Sequence, residues 1–230
     1  MKRLVIFLLS TGLSATAIAE DNVRDGRPCL NGICVGDDIS ALSKIKWDNV
    51  KSMIGNKPVK SFKIRDASLK DLMQNFSPDT ASAVKEAAPY LLEKGFDSEA
   101  IPKLSRIKGF CQPIDLDLTG HFKSDSGFPT RVNVNVEPGS TAAEQTLRVK
   151  FIIRRYPREF TTAQVRELAE QLKARYAGVK ASTFADPNVP TWKFDEFNRE
   201  LWLMAPVGSR VQKRDLLKQY PGCGKSLKID

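Results

Sequence analysis

The sequence predicts an α+β protein, with a mostly helical N-terminal part followed by a five-stranded antiparallel sheet and one packed helix. Three observations predict it. Apolar residues between positions 66 and 106 recur at helical spacing. From Phe110 onward the period falls from about 3.6 to 2. One stretch, Thr161 to Gly178, returns to helical spacing between two sets of alternating segments. The C-terminal half therefore orders as β-β-β-α-β-β, with the helix closing one face of the sheet.

The chain opens with Lys2 and Arg3, an unbroken apolar run from Leu4 to Leu9, and Ala17-Ile18-Ala19 in the small-x-small pattern. That is the layout of a secretory signal peptide cleaved between Ala19 and Glu20. A membrane-spanning helix needs about 20 predominantly apolar residues, and Ser10, Thr11, Ser14 and Thr16 interrupt this stretch. The expected compartment is the periplasm, with the extracellular medium as the alternative. Removing residues 1–19 leaves 34 basic against 27 acidic residues, a net charge of +7. In an envelope such a chain meets anionic lipid, polymer or protein surfaces. Because the charges are mostly interspersed, ordinary solubility is the favoured reading of that balance, and nucleic acid is not an expected partner outside the cytoplasm.

Four cysteines, Cys29, Cys34, Cys111 and Cys223, follow the export signal. An even count in that setting reads as disulfides, for which four cysteines allow three connectivities. The pairing expected is Cys29–Cys34 and Cys111–Cys223. The first encloses Asn31-Gly32, which can turn the chain tightly. The second would tie the start of the sheet region to the C-terminal tail. No Cys-x-x-Cys redox motif is present, and His121 is the only histidine, so neither a redox site nor zinc is expected.

Residues 20–108 form the mostly helical region. After an irregular start, Asp38 can cap a short helix over Ile39 to Lys46, and Pro58 to Ile64 alternates as a short strand. Asp66 can cap a helix carrying Leu69, Leu72, Met73 and Phe76. Ser77-Pro78-Asp79 starts another, with Ala81, Val84, Ala88 and Leu91 on one stripe. Pro89 should kink or break that helix, since it has no N–H to donate. A short helix follows from Asp97 to Arg106.

Residues 109–230 form the sheet region. Asp115 to Lys123 alternates with Leu116, Leu118 and Phe122 on one face, and Arg131 to Glu137 with Val132, Val134 and Val136 inward. Thr146 to Tyr156 alternates with Leu147, Val149, Phe151 and Ile153 together. Short turns at Ser124–Gly127 and Pro138–Ser140 make these three a meander. The helix after them carries a capping box, Thr161 and Gln164, and ends at Gly178. Strands over Thr191 to Asp195 and Arg199 to Pro206 hold Trp192, Phe194, Leu201, Trp202 and Leu203.

Asp115, Asp117, Thr119 and His121 share a face of one strand. At about 3.4 Å per residue, Asp117 and His121 lie roughly 14 Å apart along it, too far for one metal, so a solvated outer face is expected. Continued onto the neighbouring strands, that face carries Arg131 and Asn133, then Arg148, Lys150 and Arg154. Arg131, Arg148, Lys150 and Arg154 are the candidate ligand-binding residues, a basic patch for an anion or a partner. Ile152 and Tyr156 fall among these cations, which is odd for a wet face. Gly222-Cys223-Gly224-Lys225-Ser226 echoes the end of a phosphate-binding loop but lacks the first glycine, with Gln219 in its place, and only four residues follow it. No Gly-x-Ser-x-Gly elbow, catalytic residue, cofactor site or metal site is predicted.

Gly32-Ile33-Cys34-Val35-Gly36-Asp37-Asp38-Ile39-Ser40-Ala41-Leu42 resembles the opening of the small envelope domains of the BamE type, a glycine–hydrophobic–x–x–glycine step into a short helix. The resemblance covers eleven residues. This chain lacks that family's lipid-anchored cysteine, and its C-terminal half differs. No function is carried across. The expectation is a non-catalytic binding protein of the cell envelope, acting through the basic sheet face or the aromatic final hairpin. Two alternatives are a hydrolase of an envelope polymer whose carboxylates converge in the fold, and a structural or inhibitory partner of another secreted protein.

Overall fold

The computed structural model describes residues 22–45, 47–54, 57–58, 81–92, 100–111, 114–124, 127–139, 146–182 and 186–206. The signal segment 1–19, the helix read over 66–76, the start at Ser77-Pro78-Asp79, Cys223 and residues 222–226 lie outside them. The fold is a mixture of helix and sheet, as the periodicities imply.

A small antiparallel ribbon comes first: β1 Val23–Arg24, β2 Arg27–Leu30 and β3 Ile33–Cys34. Asn31 and Gly32 both hold positive φ, 52° and 74°, the conformation a two-residue hairpin turn demands. That turn sets Cys29 directly opposite Cys34, and the two are bridged. Asp37 then locks the ribbon, accepting from the Cys34 amide at 2.9 Å and from Arg27 Nη1 at 3.0 Å. The short helix expected after Gly36 is a 3-10 helix, Ile39–Lys44, capped by Asp38. Two α-helices of the N-terminal region are described, α1 Ala81–Leu92 and α2 Ala100–Leu104. Helix α1 passes through Pro89 rather than breaking there, and is described as far as Leu92. Loss of a single N–H donor within its last turn does not end it.

The main sheet comprises β4 Asn49–Ile54, β5 Lys57–Pro58, β6 Ile114–Lys123, β7 Pro129–Pro138, β8 Leu147–Arg155, β9 Lys180–Ala181, β10 Thr191–Asp195 and β11 Glu200–Met204. Its order is β5-β4-β6-β7-β8-β11-β10-β9. Among the described residues it is thus eight-stranded rather than five-stranded. β4, from the N-terminal half, pairs along β6 from Asn49↔Thr119 to Ile54↔Ile114. β9 adds a parallel rung outside β10. The final hairpin docks through β11, which lies beside β8.

Helix α3, Thr162–Arg175, follows the meander and opens with the capping box of Thr161 and Gln164. One face of the sheet is covered both by α3 and by the N-terminal elements. Leu30, Ile39, Leu42, Val84, Ile101 and Leu104 share a hydrophobic cluster with Leu118, Val134, Leu172, Trp192 and Leu203. Tyr176, fully buried, joins three elements: its hydroxyl donates to Cys29 O at 2.8 Å and its carbonyl accepts from Trp192 Nε1 at 3.1 Å.

The meander departs from simple alternation at one residue. Asn135 opposes Phe151 but Val136 opposes Val149, so Lys150 is an extra residue bulged out of β8. Before it, Leu147 and Val149 face the core. After it, Ile152, Arg154 and Tyr156 do, and Phe151 and Ile153 move to the opposite face. The grouping of Leu147, Val149, Phe151 and Ile153 on one face is therefore corrected by a one-residue shift, which exchanges every side chain beyond it. It also accounts for Ile152 and Tyr156, which are core residues.

Candidate functional site

The bulge decides the fate of the basic face. Arg131 is exposed on the outer face, opposite His121 and Arg155. Arg148, half-buried, reaches toward Gly36 O at 3.4 Å. Lys150 is ion-paired with Glu137. Arg154 stands on the core side, 1% exposed, and donates from Nη2 to Asn31 Oδ1. The four do not converge: placing Arg154 with the other three is corrected by the change of face at Lys150.

What the outer face does carry is a mixed polar lattice. Asn135 donates to Asp117 and Asn133 to Thr119, both at 2.7 Å. Arg155 donates to Asn133 and to Glu200. His121 Nδ1 lies 2.6 Å from Asp48 Oδ2. Asp117, Thr119 and His121 thus bond to neighbours across the sheet. Phe151 and Trp202 lie side by side among these groups, ring centroids 6.3 Å apart, and the Lys193 ammonium sits 4.7 Å over the Trp202 ring.

The final hairpin gathers more features of a recognition site. Its turn is ordered by one carboxylate: Asp195 accepts from the amides of Phe197 and Asn198, each at 3.1 Å, and from Asn198 Nδ2 at 2.8 Å. The Asn198 bonds hold the Asp195 carboxyl below its ordinary pKa, with Lys193 adding to the effect. Arg199, at φ 52°, closes the turn and donates to Phe160 O at 2.7 Å and to Arg158 O. The outcome is Phe197 held at the tip, 95% exposed.

At the base of the hairpin a cleft of about 490 Å³ lies between α3 and β10. Ala169 and Lys173 form the helical wall, Ala181 and Ser182 one end, and Trp192, Phe194 and Glu196 the strand side. The volume and the mainly apolar lining with a few polar groups suit a small-molecule or side-chain pocket. Aromatic packing fixes the floor, with Phe194 edge-on to Tyr156 at 6.2 Å and Trp192 5.5 Å from Tyr176. Lys173 is bonded to Glu170 at 2.6 Å, and Glu170 and Glu196 hold its pKa above the ordinary value.

Among the described residues, the Asp38 and Asp195 carboxyls both lie below their ordinary pKa. Burial pushes Asp38 up, but hydrogen bonds from Thr146 and Ser40 and the charge of Arg148 outweigh it and leave the carboxyl below its ordinary value. Asp195 is also lowered, and a general acid needs the opposite shift. Phe197 escaped the sequence reading, although an aromatic residue between Glu196 and Asn198, in a loop otherwise polar, was the available signal. No protein-family model matches this chain, and no curated protein or solved structure does either.

Proposed function

We propose that the chain is an exported, non-catalytic binding protein of the cell envelope, working in the periplasm after loss of residues 1–19, and that it recognises a protein partner through the β10–β11 hairpin. One observation carries this reading: Phe197 stands 95% exposed on a turn fixed by three hydrogen bonds to Asp195. An apolar side chain held out in water contributes nothing to folding. A rigid aromatic with few torsions is also an economical anchor, since little freedom is lost when it docks. The Trp202–Lys193 platform flanks the hairpin on the outer face of the sheet, and the α3–β10 cleft flanks it on the other. The dispersed positions of Arg131, Arg148, Lys150 and Arg154 favour this hairpin over an anion-binding sheet face.

The test is photo-crosslinking in cells exporting the full chain, with a benzoylphenylalanine at position 197 or, as control, at exposed Lys85 on α1. Adducts with an envelope protein from position 197 and not from position 85 are the expected result. Equal adducts from both, or none from position 197, would contradict the reading.

A further inference from the structure

We infer that the outer face of the sheet, from β10 across to β6, binds a neutral, β-linked glycan strand. This surface is separate from the Phe197 tip, and its use does not depend on the hairpin reading. The Lys150 bulge creates it. By shifting β8 one residue, the bulge turns Phe151 and Ile153 away from the core. There they lie directly opposite Met204 and Trp202 of β11. On their other side they oppose Asn135 and Asn133 of β7. Two successive rungs are therefore apolar over β11 and β8 and amide-bearing over β7. None of the four apolar residues belongs to the core cluster. Ile153, 5% exposed, forms the floor, while Phe151, Trp202 and Met204 are half-buried and keep part of their surface in water.

The chemistry of the band selects its occupant. The Phe151 and Trp202 rings, 6.3 Å apart and inclined by 34°, offer π faces to the C–H face of a sugar ring. The Lys193 ammonium over Trp202 makes a weak contact that the sugar replaces. Beside the rings, Asn135 Nδ2 donates to Asp117 Oδ1 at 2.7 Å. Among the described residues, Asn135 Oδ1 and Asp117 Oδ2 have no partner, so both can accept from a hydroxyl or an acetamido N–H. Asn133 is held between Thr119 and Arg155, and Trp202 Nε1 donates to Glu200 at 3.0 Å, which fixes the platform. Charge is balanced. Arg155 pairs with Glu200 and Lys150 with Glu137, and within the two rungs Lys193 and Asp117 are of opposite sign. An uncharged ligand with flat apolar faces and many hydroxyl and amide groups fits this band, and that is an N-acetylated glycan. Equatorial β-linkages keep pyranose rings in an extended ribbon that can lie along a sheet face, whereas α-linked chains coil. The span from β11 to β6, three strand spacings or about 14 Å, seats about three rings.

The probe is chitotetraose, a β-linked N-acetylglucosamine tetramer, titrated to about 5 mM into the isotopically labelled mature protein, a range suited to weak binding. NMR reads the Trp202 indole N–H and the Asn133 and Asn135 side-chain amides. Saturable shifts at these groups are expected, with the Trp192 indole and the Phe197 amide unmoved. Maltotetraose, α-linked and without acetamido groups, should bind at least about tenfold more weakly. Trp202→Leu keeps the position apolar and should weaken chitotetraose binding at least about tenfold in a protein that still melts cooperatively. Should that variant not fold, the map of shifts in the parent protein decides alone. No saturable shifts, shifts confined to the α3–β10 cleft or the hairpin tip, equal binding of maltotetraose, or full binding by folded Trp202→Leu would overturn the glycan site. Adducts with an envelope protein from a benzoylphenylalanine at position 202, without glycan shifts, would also overturn it and assign the face to a protein. The two readings fail separately: adducts from position 197 without any glycan effect leave the hairpin reading intact, and glycan binding without those adducts removes only the role of Phe197.

Discussion

Replacing Asn31 with glycine isolates the most exposed weakness of the core. Arg154 is 1% exposed, its Nη2 donates to Asn31 Oδ1, and its Nε has no partner among the described residues. Val132 and Leu201 flank it across the sheet. Asn31→Gly removes the amide yet tolerates the positive φ of 52° at that position. A hydrogen bond to a charged group is worth about 1.5–3 kcal/mol, so the variant should lose about 2 kcal/mol. Arg154→Met should be neutral or stabilising, because a buried cation with no counter-charge beside it among the described residues gains little over a well-packed apolar side chain. In the Arg154→Met background, Asn31→Gly should cost under about 0.5 kcal/mol, the remainder being the coupling between the two sites. Urea denaturation with disulfides intact, followed by tryptophan fluorescence, measures all four corners of the cycle. A similar cost for Asn31→Gly in both backgrounds would refute the claim that the disulfide-closed turn serves Arg154.

Other perturbations follow from the same geometry. A Cβ on Gly120 would lie 2.7 Å from the Phe122 ring, itself packed on Trp47. Gly120→Ala should cost about 1–3 kcal/mol by overpacking, and Phe122→Leu should relieve most of that in a thermal-melt comparison. Asp38 has a depressed pKa in the fold, so its contribution is present above the unfolded-state value and is lost as pH falls through the folded one. Asp38→Ala should therefore destabilise by about 1–2 kcal/mol near neutral pH. The gap to the parent protein should shrink as pH drops below about 4, which a pH series of denaturation midpoints would reveal. Cys111 is disulfide-bonded. We propose Cys223 as its partner, and peptide mapping without reduction should recover Cys29–Cys34 and Cys111–Cys223 and no other pairing.

The parts of the fold that could be read from the chain are those where one period runs unbroken. Leu116-Asp117-Leu118 and Val132-Asn133-Val134 alternate without interruption, and Thr161 with Gln164 marks a helix start by local hydrogen bonding alone. The Lys150 bulge was not legible, because a single inserted residue changes no composition and shows only when β8 is set against β7. Its one trace was Ile152 and Tyr156 on the wrong face. β4 escaped because Asn49–Ile54 is short, and it is held by pairing to β6, from Asn49↔Thr119 to Ile54↔Ile114, far away in sequence. The docking of β11 rather than β10 beside β8 is likewise a long-range choice that no local pattern encodes. For the site, Trp192 and Phe194 were evident as an aromatic hairpin. The exposure of Phe197 depends on the Asp195 turn and on Arg199 reaching back to Phe160.

The claim that the final hairpin, and not the basic sheet face, makes the contact is tested most directly by two single substitutions. Phe197→Ser and Arg131→Ser both alter exposed side chains, so each should change stability by no more than about 0.5 kcal/mol. The measurement is the yield of formaldehyde-linked complex with the envelope protein identified from position 197, compared with the parent chain. Phe197→Ser is expected to reduce that yield at least about tenfold, as removal of a central aromatic anchor does, while Arg131→Ser leaves it unchanged. Loss of the complex in Arg131→Ser with full retention in Phe197→Ser would contradict it and return the function to the basic face.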